Sequence, residues 1–305
     1  MHGIILLNKP LYHSSFQVAQ YVKDITQAAR VGHGGTLDPL ATGMLPICVG
    51  EASKFARFIL EADKCYTVKA DIGTVTTTGD VEGDIISSDH SYDLSEADLL
   101  KEMLKFCGEI SQTPPSYSAL KHNGKPLYEY ARKGINIVKP PRLVNIKKFE
   151  LISWRKPILE CKVVCSKGTY IRSLLADLGG SLSFGASLTS LHRDWVCPFT
   201  LSSMLTLEEF SHINSLDDVL SAPAYYSLDR MFESMLRLDL SEKDAFDLCC
   251  GKQNTLAFDS HNTDMKNHVA LFYNTEFLGV ATKLNMQELS VIKLRSSLVK
   301  KITNC

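Results

Sequence analysis

The sequence has no run of about 18 consecutive apolar residues, so no segment reads as a membrane-spanning helix. Its start, Met1-His2-Gly3, shows no basic stretch leading into an apolar one, which argues against secretion and for a cytoplasmic location. No Cys-x-x-Cys pair occurs. Nine cysteines, an odd number, are scattered from Cys48 to Cys305, as in a reduced intracellular protein rather than a disulfide scaffold, and the histidines add no compact zinc-ligand pattern. Neither GxxxxGK[ST] nor GxGxxG is present, which removes the P-loop and dinucleotide fingerprints. There is also no excess of one charge: 33 basic and 34 acidic residues leave a formal net charge of -1.

What is present is a chain of 305 residues with 45% apolar content, enough for one large core or two modest ones. Charge is segregated along it. Between Lys121 and Lys148 eight basic residues face Glu129 alone, whereas between Leu205 and Asp264 twelve acids face four basic residues.

Apolar patterning predicts a short strand over Ile4–Leu7, then a helix opened by a capping box of Ser14 with Gln17. Gly32–Pro39 is too rich in glycine for a stable helix or central strand and reads as a loop whose backbone shape matters. Strands are expected at Leu45–Val49, Tyr66–Ile72 and Leu159–Cys165, and helices at Glu51–Leu60, Ser95–Phe106 and from Ile171 to a stop near Gly179-Gly180. Gly73–Gly83 is a threonine-, glycine- and acid-rich connection. Residues 112–142, bracketed by five prolines around a short helix near Tyr128–Lys133, read as a basic surface excursion. A helix is expected from Thr206, and short strands at His268–Tyr273, Phe277–Ala281 and Leu289–Leu294 suggest a small β-rich terminal unit.

Several residues stand out for chemistry. Asp38 lies in Gly-Gly-Thr-Leu-Asp-Pro-Leu-Ala-Thr-Gly; an Asp-Pro ordinarily caps a turn, but the surrounding glycines allow a ligand to approach the backbone closely. Tyr66 on an inner strand face and Arg172 at a strand-turn-helix junction would each be unremarkable alone.

In combination the motifs resemble the TruB-type tRNA pseudouridine synthases. The resemblance is carried by Gly3–Pro10, Gly32–Pro46, Asp63–Tyr66, Pro115–Lys121 with Tyr128–Arg132, and Ser166–Arg172, and it fades beyond about Thr206. It implies a mixed α/β (α+β) catalytic fold around a central, mostly antiparallel sheet, spanning residues 1–234 with an RNA-gripping insertion at about 112–142. A small β-rich domain over 235–305, similar to a PUA RNA-binding module, would follow. It implies an enzyme converting uridine to pseudouridine at position 55 in the T-arm loop of tRNA, with no cofactor, no metal, no membrane, no obligatory protein partner and no guide RNA, acting as a monomer.

The resemblance also implies site roles. Asp38 matches the covalent nucleophile, Arg172 its pairing partner, and Tyr66 a tyrosine that lies against the target ring and takes part in proton transfer. Tyr170 and Leu191 match pocket positions, Lys9 and Pro10 a brace behind the site, and His33 a histidine that opens the RNA loop. The basic residues Lys121, Arg132 and Lys133, interleaved with tyrosines, suit phosphates beside a stacking surface. The chain departs from close bacterial members at Gly34 and Thr36, where they carry Thr and Ala, at Cys65, where a basic residue is common, and around His192-Arg193-Asp194, where they look more basic.

The chemistry stands apart from the name. A carboxylate can promote the isomerisation by adding to uracil C6 or by attacking ribose C1′. In either route an arginine beside it favours the charged form and fixes its orientation better than a lysine. A noncatalytic RNA-binding protein with the same basic cleft is a second reading, which the set Asp38, Tyr66 and Arg172 disfavours. A guide-RNA-dependent relative is a third, disfavoured by the lack of long basic or Gly/Arg-rich tails.

Overall fold

The computed structural model describes residues 1–213, 215–250, 268–283 and 289–294. The basic residues Lys266, Arg295, Lys300 and Lys301 lie outside them.

Strand β1 (Gly3–Lys9) leads to helix α1 (Ser15–Thr26), β2 (Val31–His33) and β3 (Ala41–Val49). A 3-10 turn at Gly50–Phe55 and helix α2 (Ala56–Glu61) precede β4 (Lys64–Ile72), the hairpin β5 (Thr74–Thr76) and β6 (Ile85–Ser88), and helix α3 (Glu96–Leu104). Next come β7 (Gly108–Gln112), the minimal hairpin β8 (Lys121–His122) and β9 (Lys125–Pro126), and helix α4 (Leu127–Ala131). Strands β10 (Arg142–Arg155) and β11 (Ile158–Cys165), helix α5 (Ile171–Ser181) and strand β12 (Ala186–Val196) complete the region around the site. Short helices lead to β13 (Tyr225–Tyr226), and β14 (Arg237–Asp239), β15 (His268–Tyr273), β16 (Glu276–Lys283) and β17 (Leu289–Lys293) form a second sheet.

The main sheet runs β13-β1-β3-β12-β4-β11-β10-β7, with β2 also on β3. Every pairing is antiparallel except that of β12 with β3, as expected of a mostly antiparallel sheet. Its central strands are apolar at successive positions because both faces are covered. On β1, Ile5 and Leu7 enter one core and Ile4 and Leu6 the other; on β3, Leu45 and Ile47 oppose Met44 and Cys48 in the same way. The first core is closed by α1, α3 and α5. The second takes Phe55 and Ile59 together with Phe272, Phe277 and Val280 of the second sheet.

Three expectations need correction. The glycine-rich segment is not all loop: Val31, Gly32 and His33 pair with Val49, Cys48 and Ile47 before the chain turns. Gly73–Gly83 contains β5, which pairs with β6. The stop expected near Gly179-Gly180 is met, α5 ending at Ser181, and a Cβ on Gly179 would come within 2.3 Å of the Ala186 backbone nitrogen, so that glycine also serves the approach of β12. The expected helix Glu51–Leu60 is divided between the 3-10 turn and α2.

Candidate active site

Asp38 lies on the loop between β2 and β3, and that loop is fixed from behind. Lys9, wholly buried at the end of β1, donates through Nζ to the carbonyls of Pro10 (2.9 Å), His13 (2.6 Å) and Pro39 (3.1 Å). The Tyr12 amide also donates to Pro39 O, and the Ser15 hydroxyl exchanges hydrogen bonds with the backbone of Leu37. The residues flanking Asp38 are thus tied to β1 and α1, while its carboxylate remains 33% exposed.

Arg172 enters from the first turn of α5, 5% exposed, and its Nη2 lies 2.9 Å from Asp38 Oδ2. The same guanidinium donates to Thr78 O (3.1 Å) and Tyr117 O (2.7 Å), and its Nη1 lies 3.4 Å from Asp80 Oδ2. Asp80 is held in turn by the Thr78 hydroxyl and the Glu82 amide. Two carboxylates and two carbonyls therefore lock one planar fork, a geometry a single ammonium cannot reproduce.

Asp38, Arg172, Tyr66, Tyr170 and Leu191 line one cavity of about 350 Å³. Tyr66 is buried on β4, and burial pushes its phenol up to about 12, so it is protonated at neutral pH. Tyr170 is fixed through its backbone by Gln112, which accepts from its amide (2.7 Å) and donates to its carbonyl (3.0 Å), while Arg142 stacks on its ring at 4.9 Å. A second hollow of about 400 Å³ shares Asp38 and Arg172 and is lined by His33, Phe16, Tyr128 and Arg132. His33 is driven toward its neutral form by burial and then by Arg193. Its Nδ1, like the Ser118 Oγ nearby, is buried and finds no hydrogen-bond partner among the described residues.

The structure thus gathers seven of the expected site residues, Asp38, Tyr66, Arg172, Tyr170, Leu191, His33 and Arg132, around two joined hollows. Lys9 and Pro10 line neither; Lys9 braces from behind. Lys121 and Lys133 are exposed on the insertion, outside both hollows. Missed from sequence were Asp80, Glu82, Lys64 and Arg193. The only signal for the first two was the acid-rich Thr77–Asp84 stretch. Burial raises the Glu82 carboxyl, helped by Asp80 and Asp38. Lys64 gives three carbonyls at the end of α2 its Nζ and is lowered to about 8 by burial. Among the described residues no cluster of His, Cys, Asp or Glu is arranged to hold a metal ion.

The large mixed sheet with a smaller β-rich region is a pseudouridine-synthase catalytic fold. Residues 23–171 match the N-terminal domain of the TruB family pseudouridylate synthases. The tRNA pseudouridine synthase B of Marinomonas sp. (strain MWYL1) is 46% identical over 251 residues, covering 82% of this chain and 81% of that protein. That of Actinobacillus pleuropneumoniae serotype 5b (strain L20) is 41% identical over 283 residues, 92% of each. The chain belongs to the TruB family and is an isomerising enzyme. Among solved structures, one from a Cbf5-Nop10-Gar1 complex has a TM-score of 0.70 at 21% identity, covering 96% of this chain and 84% of that one, a likeness of fold.

Proposed function

We propose that this tRNA pseudouridine synthase acts on uridine 55 in the loop of the T arm, with Asp38 as nucleophile toward an extruded base. The reading is carried by the contact of Arg172 with Asp38 at 2.9 Å, inside a cavity whose wall includes Tyr66. Substrate and product are isomers of one oxidation state. The N1–C1′ bond breaks, the ring turns, C5 bonds to C1′, and the proton lost from C5 is balanced by one gained at N1. The site therefore has to supply a nucleophile, a held ring and a closed space rather than a redox group.

In this reading Arg172 aims the Asp38 carboxylate, and Tyr66, Tyr170 and Leu191 bound the space in which the uracil turns. His33 and Ser118 line the adjoining hollow, where the flat imidazole of His33 can fill the gap that an extruded base leaves. Lys121, Arg132 and Lys133 on the insertion take the phosphates of the arm, with Arg132 stacked over Tyr128 at 5.5 Å. Residues 1–234 act as the catalytic unit and 235–305 as an auxiliary RNA-binding unit of PUA type. The enzyme works in the cytoplasm as a monomer, without cofactor, metal, guide RNA or obligatory protein partner.

The test is incubation of the purified protein with an unmodified tRNA transcript and site-resolved detection of pseudouridine. Asp38→Asn should bind the transcript yet slow the reaction by more than about a thousandfold. Product from that variant at the wild-type rate would remove Asp38 from its role, and product that appears only with an added guide RNA would favour a ribonucleoprotein enzyme.

A further inference from the structure

Arg193, on β12, is 1% exposed and among the largest fully buried side chains. A buried guanidinium ordinarily keeps a carboxylate beside it. Among the described residues Arg193 has none: its Nε donates to Met44 O (2.7 Å) and its Nη2 to Gly35 O (3.1 Å). Its guanidinium also acts electrostatically on the phenol of Tyr66, its direct cross-strand partner between β12 and β4. Both side chains line the cavity. Gly35 stands three residues before Asp38, so one side chain reaches the nucleophile's loop and the tyrosine together.

Arginine has donors only. Toward a cross-strand phenol the guanidinium can only donate, which leaves the proton of Tyr66 to point into the cavity that both side chains line. We propose that Arg193 is a positioning residue for the isomerisation: it fixes the Tyr66 hydroxyl and the Gly35 carbonyl, so that the phenol proton and the Asp38 carboxylate converge on one bound uracil. A lysine at this position supplies the charge but cannot reach Met44 O, Gly35 O and the phenol at once. The inference rests on the assignment of Asp38 and Tyr66 to the reaction.

The experiment is single-turnover isomerisation of an unmodified tRNA transcript by wild type, Arg193→Gln, Tyr66→Phe and the double variant. Arg193→Gln should slow the chemical step by about 30-fold or more with transcript affinity changed less than about threefold, and should add less than about threefold in the Tyr66→Phe background. A full, multiplying effect in that background, or a wild-type rate for Arg193→Gln, overturns the proposal. Where Arg193→Gln does not fold or Tyr66→Phe is too slow to time, Arg193→Lys decides. Its Tyr66 ring-carbon resonance in carbon-13 tyrosine-labelled protein, assigned by its loss in Tyr66→Phe, should move, and an unmoved resonance overturns the proposal. Asp38→Asn run alongside separates the two ideas: if it isomerises normally the site assignment fails, whatever Arg193 does.

Discussion

Lys64 holds its charge where water scarcely reaches, and this makes it a reporter of the site's electrostatics. Unfolded, the ammonium keeps its proton up to about 10.5; folded, burial lets it go near 8. Between those values the unfolded chain binds more protons, so the stability contributed at Lys64 rises with pH. The stability of wild type minus that of Lys64→Met should therefore rise by about 1–2 kcal/mol from about pH 7.5 to about pH 9.5. Urea unfolding at the two pH values measures it, and a signed difference that stays constant or falls contradicts the placement. At this scale the sequence was readable where a residue sat inside a distinctive motif. Asp38, Tyr66 and Arg172 could be named because their neighbours carry the family pattern. Asp80 and Arg193 could not, since an acid in a polar connection and an arginine in a mixed strand look the same whether they face solvent or a cavity.

Elements decide which of these side chains meet. Gly43 on β3 has a φ of +98°, and a Cβ there would fall 2.3 Å from the backbone oxygen of Arg193, its partner in the single parallel pairing of the sheet. Gly43→Ala should cost at least about 2 kcal/mol in denaturant unfolding, and it should lower activity by displacing β12 from the cavity wall. The insertion offers a different readout. Neutralising Lys121, Arg132 and Lys133 together should weaken transcript binding and reduce the salt slope of its logarithm by about 2; an unchanged slope across a salt titration rules out the proposed phosphate contacts.

Strands β10 and β12 escaped the sequence reading for a common reason. Each carries β-bulges, between Ile146 and Lys148 and between Leu151 and Ser153 in β10, and between Leu188 and Ser190 and between Arg193 and Trp195 in β12. A bulge shifts the phase of the inside-outside alternation, which erases the period by which a strand is recognised. The helix starts at Ser14 and Thr206, by contrast, were legible because a cap is local chemistry, and both form with capping boxes.

Across the whole molecule, the second sheet shares a core with the first. Phe277 on β16 stacks on Phe232 at 5.3 Å and meets Phe55 edge-on at 5.6 Å, so the 3-10 turn is packed against a residue more than two hundred positions later. Phe277→Ala should cost about 3–5 kcal/mol, read by thermal or denaturant unfolding followed from the tryptophans, both of which lie on main-sheet strands. A loss confined to the second sheet, with the tryptophan transition unmoved, would show that the two cores unfold separately.

By itself the sequence determined the family, the carboxylate proposed as nucleophile and the local starts of helices and strands, because these depend on short motifs and on the side-chain period of single elements. The tertiary structure decided which charges face which. Only the closing of β12 between β3 and β4 puts Arg193 opposite Tyr66, and only the packing of α5 over the sheet brings Arg172 between Asp38 and Asp80, since contacts among residues more than ninety positions apart are set by how elements pack and leave no periodic trace in the chain.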